Sequence, residues 1–313
     1  MNAAHKVYVA GARGLVGSAL VRALGARGFK RILGPTRKAL DLRDGAAVEK
    51  FFAAEKPEYV FLAAAKVGGI AANDTYPADF IHDNLAIQTN VIDAAYRHGA
   101  HKLCFLGSSC IYPRLAPQPL KESSLLTGPL EPTNEWYAVA KIAGIKMCQA
   151  YARQYGFNAI SVMPTNLYGP GDNFDLQTSH VLPALLRKFH AAKQGHEATV
   201  TVWGSGKPRR EFLYVDDLAE ALCFLMEHYN SPEIINVGCG EDVTIAELAA
   251  LIAKVIGFRG TLTFDRSKPD GTPRKLLDVA RMNTLGWRAT TPLADGVRAT
   301  YAWYLAQPEG RAG

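Results

Sequence analysis

Tyr137 and Lys141 stand four residues apart at the start of a helical pattern that runs from Asn134 to about Tyr155. On a helix this spacing puts both side chains on one face, one turn apart. A phenol with an ordinary pKa near about 10 is a poor acid at neutral pH, and an ammonium one turn away favours the phenolate and lowers that value. A tyrosine tuned in this way passes a proton to or from a carbonyl or alcohol oxygen. Such a pair also arises by chance on many helices, and it gains meaning from Ser108, in Gly107-Ser108-Ser109-Cys110-Ile111-Tyr112. That serine follows the apolar run Lys102 to Leu106, so its hydroxyl falls at the carboxyl end of a strand, where open α/β sheets bind ligands. There it can donate to a substrate oxygen while the tyrosine supplies the proton.

The elements that must position these groups read as repeating strand and helix. Lys6 to Ala10 is a short apolar strand, followed by Gly11-Ala12-Arg13-Gly14-Leu15-Val16-Gly17 and a helical pattern from Ser18 to Arg27. Glycines in a strand–turn–helix let the backbone approach a pyrophosphate at the positive helix N-terminus. The next strand, about Arg31 to Gly34, ends in Pro35-Thr36-Arg37-Lys38 rather than in an acid. An acid there would bind a ribose 2′-hydroxyl, whereas Arg37, helped by Arg13, suits a 2′-phosphate. The expected cofactor is therefore NADP(H), with Asp41 and Leu42 beside the adenine. A helix over Gly45 to Glu55, a strand over Tyr59 to Ala63, a helix over Asp79 to His98 and the strand Lys102 to Leu106 complete four repeats. The strand Ala159 to Met163 follows. This order implies a doubly wound, Rossmann-type parallel sheet covered on both faces. It spans residues 1–163, with strands at about 211–238 returning to it, and 164–313 form mainly a smaller α/β substrate-binding lobe. In the second half of the chain, Asp216-Asp217-Leu218 should cap a helix from Ala219 to His228, Glu211 to Tyr214 and Ile234 to Val237 read as strands, and the tail after Gln307 should fray.

The 313 residues are 48% hydrophobic and 20% charged, as in an ordinary globular chain, and the net charge of +6 is dispersed rather than clustered. Nucleic acid is not an expected partner, since no zinc-finger spacing or other such motif appears, and no metal is expected. Five scattered cysteines without a Cys-x-x-Cys pair read as free thiols in a reducing compartment. No signal peptide and no apolar run of membrane-spanning length is apparent, so a cytoplasmic location is expected.

Gly11-x-x-Gly14-x-x-Gly17, Ser108 and Tyr137-x-x-x-Lys141 together resemble the extended short-chain dehydrogenase/reductase family, over nearly the whole chain. Within it, Ala63 to Ile70, Gly107 to Pro113, Glu131 to Glu135, Met163 to Pro170, Trp203 to Gly206 and Lys268 to Lys275 are similar to members that act on a GDP-bound 4-ketohexose. The resemblance implies NADPH-dependent conversion of GDP-4-keto-6-deoxy-D-mannose to GDP-L-fucose, by epimerisation at C3 and C5 and then reduction at C4. It implies acid and base roles for Cys110 and His180, whose residue types alone fit equally a small buried hydrophobe and a helix cap. It further implies cofactor contacts from Leu106-Gly107-Ser108-Ser109, Lys141, Pro164-Thr165-Asn166-Leu167 and His180, and substrate contacts from Lys188, Trp203, Arg210 and Asp270, with Lys275 a weaker candidate. A homodimer through the helices Asp79 to His98 and Asn134 to Tyr155 is also implied. The rival within the family is another nucleotide-sugar 4-epimerase, dehydratase or reductase. A dehydratase would carry an Asp-Glu pair where Ser109-Cys110 stands. A scaffold without catalysis would be expected to lose Tyr137 or Lys141.

Overall fold

The computed structural model describes residues 1–268 and 270–307, with nothing said of the side chains of Ile70 and Ala71. Pro269 and the tail 308–313 thus lie outside the described residues. The first half alternates strand and helix: β1 (Val7–Ala10), α1 (Leu15–Ala26), β2 (Ile32–Leu33), α2 (Gly45–Glu55), β3 (Tyr59–Leu62), α3 (Ile70–Thr75), α4 (Pro77–Arg97), β4 (Lys102–Leu106), α5 (Glu135–Tyr155) and β5 (Ala159–Pro164). The second half carries β6 (Asn166–Tyr168), α6 (Val181–Gln194), β7 (Thr199–Trp203), β8 (Arg209–Arg210), β9 (Phe212–Tyr214), α7 (Val215–His228), β10 (Ile235–Val237), β11 (Val243–Thr244), α8 (Ile245–Ile256), β12 (Thr261–Asp265), β13 (Arg274–Lys275), α9 (Ala280–Leu285) and α10 (Leu293–Leu305).

One parallel sheet runs in the order β10-β5-β4-β3-β1-β2. Strands β1, β4 and β5 are buried end to end, as apolar runs without alternation must be when helices cover both faces, while β2 at the edge is half-buried. Helices α2, α4 and α5 close one face around Phe52, Ile92, Phe105 and Ile145. On the other face, α1 and α7 close over Leu20, Phe61, Leu222 and Ile235. The order of succession reverses between β1 and β3, so the turn after β1 opens into the crevice where such sheets take ligands. A third core, with Phe189, Val202, Leu248 and Val297, belongs to α6, β7, α8 and α10.

Two expectations need correction. The strand at 212–214 does not enter the main sheet. It pairs with β6, and only β10 returns, beside β5. Asp216 and Asp217 do not cap α7, which starts at Val215 with no side-chain cap. Asp216 pairs with Arg22 at 2.5 Å. Asp217 accepts from the N–H and hydroxyl groups of Thr290 and Thr291, tying α7 to the chain before α10.

Candidate active site

The glycine turn is built for close approach. A Cβ on Gly17 would lie 2.0 Å from the Gly11 carbonyl oxygen, so α1 can begin tight against the turn only with glycine there. Its N-terminal amides are then left facing the crevice. Ala12 packs against Gly34, which starts the Arg37 loop beside this turn. Arg37 is 72% exposed and holds only a loose 3.9 Å contact to Asp41. Asp41 itself is gripped by Arg43 at 2.6 Å, and the hydrogen bonds from Arg43 bring its carboxyl down to about 2. The Leu42 side chain is buried against the core and its carbonyl accepts from Asn90.

Lys141 is positioned by the packing of α5 on β4. A Cβ on Gly144 would meet the Phe105 ring at 2.4 Å, so glycine lets the helix settle onto the strand. Lys141 is then 3% exposed, and its Nζ donates to the Leu106 carbonyl at 2.8 Å. It lies 5.8 Å from the Tyr137 ring centroid. Burial lowers its pKa to about 8. Tyr137 corrects the sequence expectation: its pKa is raised, not lowered. Burial is the main cause and the neighbouring Cys110 thiolate adds to it, while a hydrogen bond with Ser108 opposes both. Desolvation wins because the lysine charge is directed at a carbonyl and is itself weakened by burial.

Ser108 caps the short turn Ser109–Ile111 by accepting from the Cys110 N–H at 3.2 Å. This brings the Cys110 thiol back toward Ser108. Asn134 Nδ2 lies 3.3 Å from Cys110 Sγ and Lys275 Nζ 3.4 Å from it. Burial raises the thiol pKa, but the charge of Lys275, hydrogen bonds from Ser108 and Lys275 and the charge of Arg210 together prevail and lower it. A small buried hydrophobe would have no such surroundings. His180 stands at the N-terminus of α6 without capping it, and desolvation by the cleft walls, then the charge of Lys275, depress its pKa.

The second wall comes from the lobe. Strands β8 and β13 pair in parallel, Arg209 opposite Arg274 and Arg210 opposite Lys275. Successive side chains alternate in facing, so the four cations divide. Arg209 and Arg274 both bond Asp242, at 2.7 and 2.5 Å, while Arg210 and Lys275 act on Cys110. Beneath them Glu211, fully buried, accepts from the Gly240 and Leu277 N–H groups. Its carbonyl accepts from Asn166 at 2.8 Å and Thr165 at 3.3 Å. Pro164 ends β5, while Leu167 lies half-buried in β6. Farther out, Trp203 is 61% exposed, which removes core packing as its reason for being there. Lys188 and Lys268 lie 4.8 and 5.6 Å from its ring. Asp270 accepts from Ser205 N–H and Oγ at 2.7 and 2.5 Å, which fixes the turn after Trp203. A carboxylate accepts about four hydrogen bonds, so capacity remains for a ligand.

Residue reasoning missed Asn134 and Glu211 as members of the site and underrated Lys275. Asn134 opens the tyrosine helix, and the sequence marks it only as a helix start. Glu211 was hidden inside an apolar strand pattern. The strand pairing that turns Lys275 toward Cys110 has no local sequence signal.

A glycine turn for a dinucleotide and a Ser-Tyr-Lys group in one crevice define a nicotinamide-dependent short-chain enzyme, and the chain belongs to the NAD dependent epimerase/dehydratase family, whose model matches residues 7–238. It is 63% identical to a probable GDP-L-fucose synthase 1 of Oryza sativa subsp. japonica, over 96% of this chain and 92% of that one. It is 57% identical to GDP-L-fucose synthase of Escherichia coli (strain K12), over 96% and 97%. The crystal structure of a GDP-L-fucose synthetase from Naegleria fowleri bound to NADP superposes with a TM-score of 0.90 at 32% identity, covering 97% of this chain and 95% of that one.

Proposed function

We propose that this chain converts GDP-4-keto-6-deoxy-D-mannose to GDP-L-fucose with NADPH, epimerising C3 and C5 and then reducing the C4 ketone. The observation that carries this reading is the Cys110 thiol held between Asn134 and Lys275, within hydrogen-bond reach of the Ser108 hydroxyl that also serves Tyr137. A simple carbonyl reductase needs Ser108 and Tyr137 but has no use for an acidified thiol beside them.

The residues present fit the cofactor: the Gly17 approach and the N-terminus of α1 suit a pyrophosphate, and exposed Arg37 suits a 2′-phosphate. When bound, NADPH supplies the hydride for C4. Leu106 to Ser109, Lys141 and Pro164 to Leu167 would flank the nicotinamide end, with His180 close by.

Protons on C3 and C5 are alpha to the ketone, and their removal leaves an enolate whose oxygen rests on the Ser108 and Tyr137 hydroxyls. We assign Cys110 to proton removal, since Lys275 and Arg210 favour its thiolate, and His180 to proton return, since a depressed imidazole gives up a proton readily. Between rounds the thiol returns its proton to solvent and the imidazole takes one. In the reduction Tyr137 is the acid. Its raised pKa keeps the proton in place at neutral pH, and an alkoxide at O4 is basic enough to take it. Lys141 then stabilises the phenolate left behind. Arg210 and Lys188 pair with the diphosphate, Trp203 covers the base or sugar, and Asp270 bonds the nucleoside.

The proposal includes a dinucleotide domain of residues 1–163 with 211–238, a lobe from the rest, and a homodimer through α4 and α5. Exposed Trp136, Val139 and Tyr155 on α5 support that face. A cytoplasmic site of action is supported by five free cysteines. Among the described residues no helix is long and apolar enough to cross a membrane. The test follows NADPH absorbance with GDP-4-keto-6-deoxy-D-mannose and identifies the product by NMR. GDP-L-fucose is expected. NADPH consumption that leaves C3 and C5 unchanged would reduce the chain to a 4-ketoreductase.

A further inference from the structure

The amino-terminal edge of the sheet, opposite to the crevice, gathers three potential metal ligands that lie far apart in sequence. His5, Glu58 and His101 bring one ligand atom each to within 4.8 Å of one another. The sheet places them. Val7 pairs with Tyr59 and Tyr59 with Lys102, so Glu58 and His101 immediately precede adjacent strands and His5 precedes the strand beside them. The backbone there is locked: Glu58 N–H donates to the Lys6 carbonyl at 2.9 Å and His101 N–H to the Glu58 carbonyl at 2.7 Å. Both imidazoles stand edge-on to the Tyr59 ring, at 5.0 and 5.7 Å.

The atoms around the cluster are arranged as a metal's supporting groups would be. His5 Nδ1 lies 3.2 Å from the Asn2 carbonyl. A proton on Nδ1 donated to that carbonyl leaves Nε2 with its lone pair free, the usual way a second hydrogen bond orients a ligating imidazole. The same Nδ1 lies 3.0 Å from the Asn2 N–H, so metal binding at Nε2 would select one tautomer from two. Glu58 Oε2 accepts from the Lys6 N–H at 2.7 Å, which fixes the carboxylate and leaves Oε1.

We infer that His5, Glu58 and His101 form a binding site for a borderline divalent ion of the zinc class, and that the ion pins the amino-terminal segment to the sheet. Two imidazoles and one carboxylate suit zinc, cobalt or nickel rather than calcium or magnesium, which prefer oxygen throughout. Bonds of about 2.0–2.1 Å put neighbouring ligand atoms about 3.4 Å apart, so modest side-chain rotation closes the triad. His101 is exposed and leaves room for water in a fourth position. The site is remote from Cys110 and is not needed for turnover.

The experiment titrates Co2+ and Zn2+ into tag-free full-length protein, following cobalt absorption bands, bound metal and melting temperature. One N/O-ligated cobalt per chain, without the near-ultraviolet sulfur-to-cobalt band that Cys110 would give, is expected, together with a rise in melting temperature. His5→Gln, Glu58→Gln and His101→Gln should each weaken binding at least about tenfold and leave NADPH-dependent turnover unchanged. Cys110→Ser should retain the metal. Absence of saturable binding, binding unaltered in the His5→Gln/His101→Gln double variant, or cobalt carrying the sulfur band and lost with Cys110 would each overturn the assignment.

Discussion

Replacing Lys275 with methionine keeps the bulk of the chain and removes the charge that faces Cys110. With Nζ 3.4 Å from Sγ, the Coulomb attraction in the thiolate form is about 5 kcal/mol at an effective dielectric of about 20 and about 1.2 kcal/mol at about 80. At about 1.36 kcal/mol per pH unit these limits correspond to about 3.5 and 1 units. Lys275 is half-buried, so screening favours the lower part of that range, about 1–2 units. The Cys110 pKa should rise by that amount, and each unit removes about nine-tenths of the thiolate at neutral pH. Iodoacetamide alkylation against pH, with the modified residue identified by mass spectrometry, reads the shift directly. Cys104, Cys148 and Cys223 are buried, whereas Cys239 is exposed, so the mass spectrum must separate its adduct from that of Cys110. The functional readout is deuterium exchange at C3 and C5 of the substrate in D2O without NADPH, which should slow about 10- to 100-fold at pH 7. Lys275→Arg should restore both. An alkylation midpoint in Lys275→Met within about 0.3 unit of the parent would refute the account of Cys110 as a thiol acidified by this lysine.

Tyr137→Phe should lower NADPH oxidation by about 10²- to 10⁴-fold and slow deuterium exchange at C3 and C5 less, because Ser108 still holds the enolate oxygen; equal loss of both would contradict its role as the acid of the reduction. Arg37→Ser should raise KM for NADPH by about 10- to 100-fold, the worth of a charge-assisted phosphate bond, and barely change KM for NADH, with steady-state kinetics on both cofactors as the check. Asp172 has a buried Oδ2 without a hydrogen-bond partner, and burial raises its carboxyl to about 7. Because its folded pKa lies above the unfolded value, the unfolded chain ionises first and stability falls as pH rises from about 4 to about 7, by at most about 4 kcal/mol. Denaturation of Asp172→Asn and parent at pH 4 and pH 8 should therefore show the variant gaining relative stability at the higher pH, and a constant difference would contradict the assigned burial cost.

What the sequence made legible was whatever depends on neighbours along the chain. The glycine turn lies between its strand and helix because turn, strand and helix signals occupy consecutive residues, and Tyr137 and Lys141 share a face because helical geometry alone decides it. What it hid depends on pairing between distant segments. Lys275 reaches Cys110 because β13 adds in parallel to β8 with one register. A shift by one residue would turn Arg274 inward and send Lys275 to Asp242. The same holds for Phe212 to Tyr214, whose apolar run fits a strand in the main sheet as well as the separate pair it forms with β6. The tyrosine shows the limit in another form. Spacing puts Lys141 beside Tyr137 but gives the wrong sign for the tyrosine's pKa, because the sign depends on how much water the fold removes from the phenol and where the lysine's protons point. With Lys141 donating to Leu106 and almost wholly removed from water, burial governs both groups. That outcome suits the proton donor proposed for Tyr137: the phenol would stay protonated until an alkoxide appears, and the lysine's charge would matter only once the proton has left.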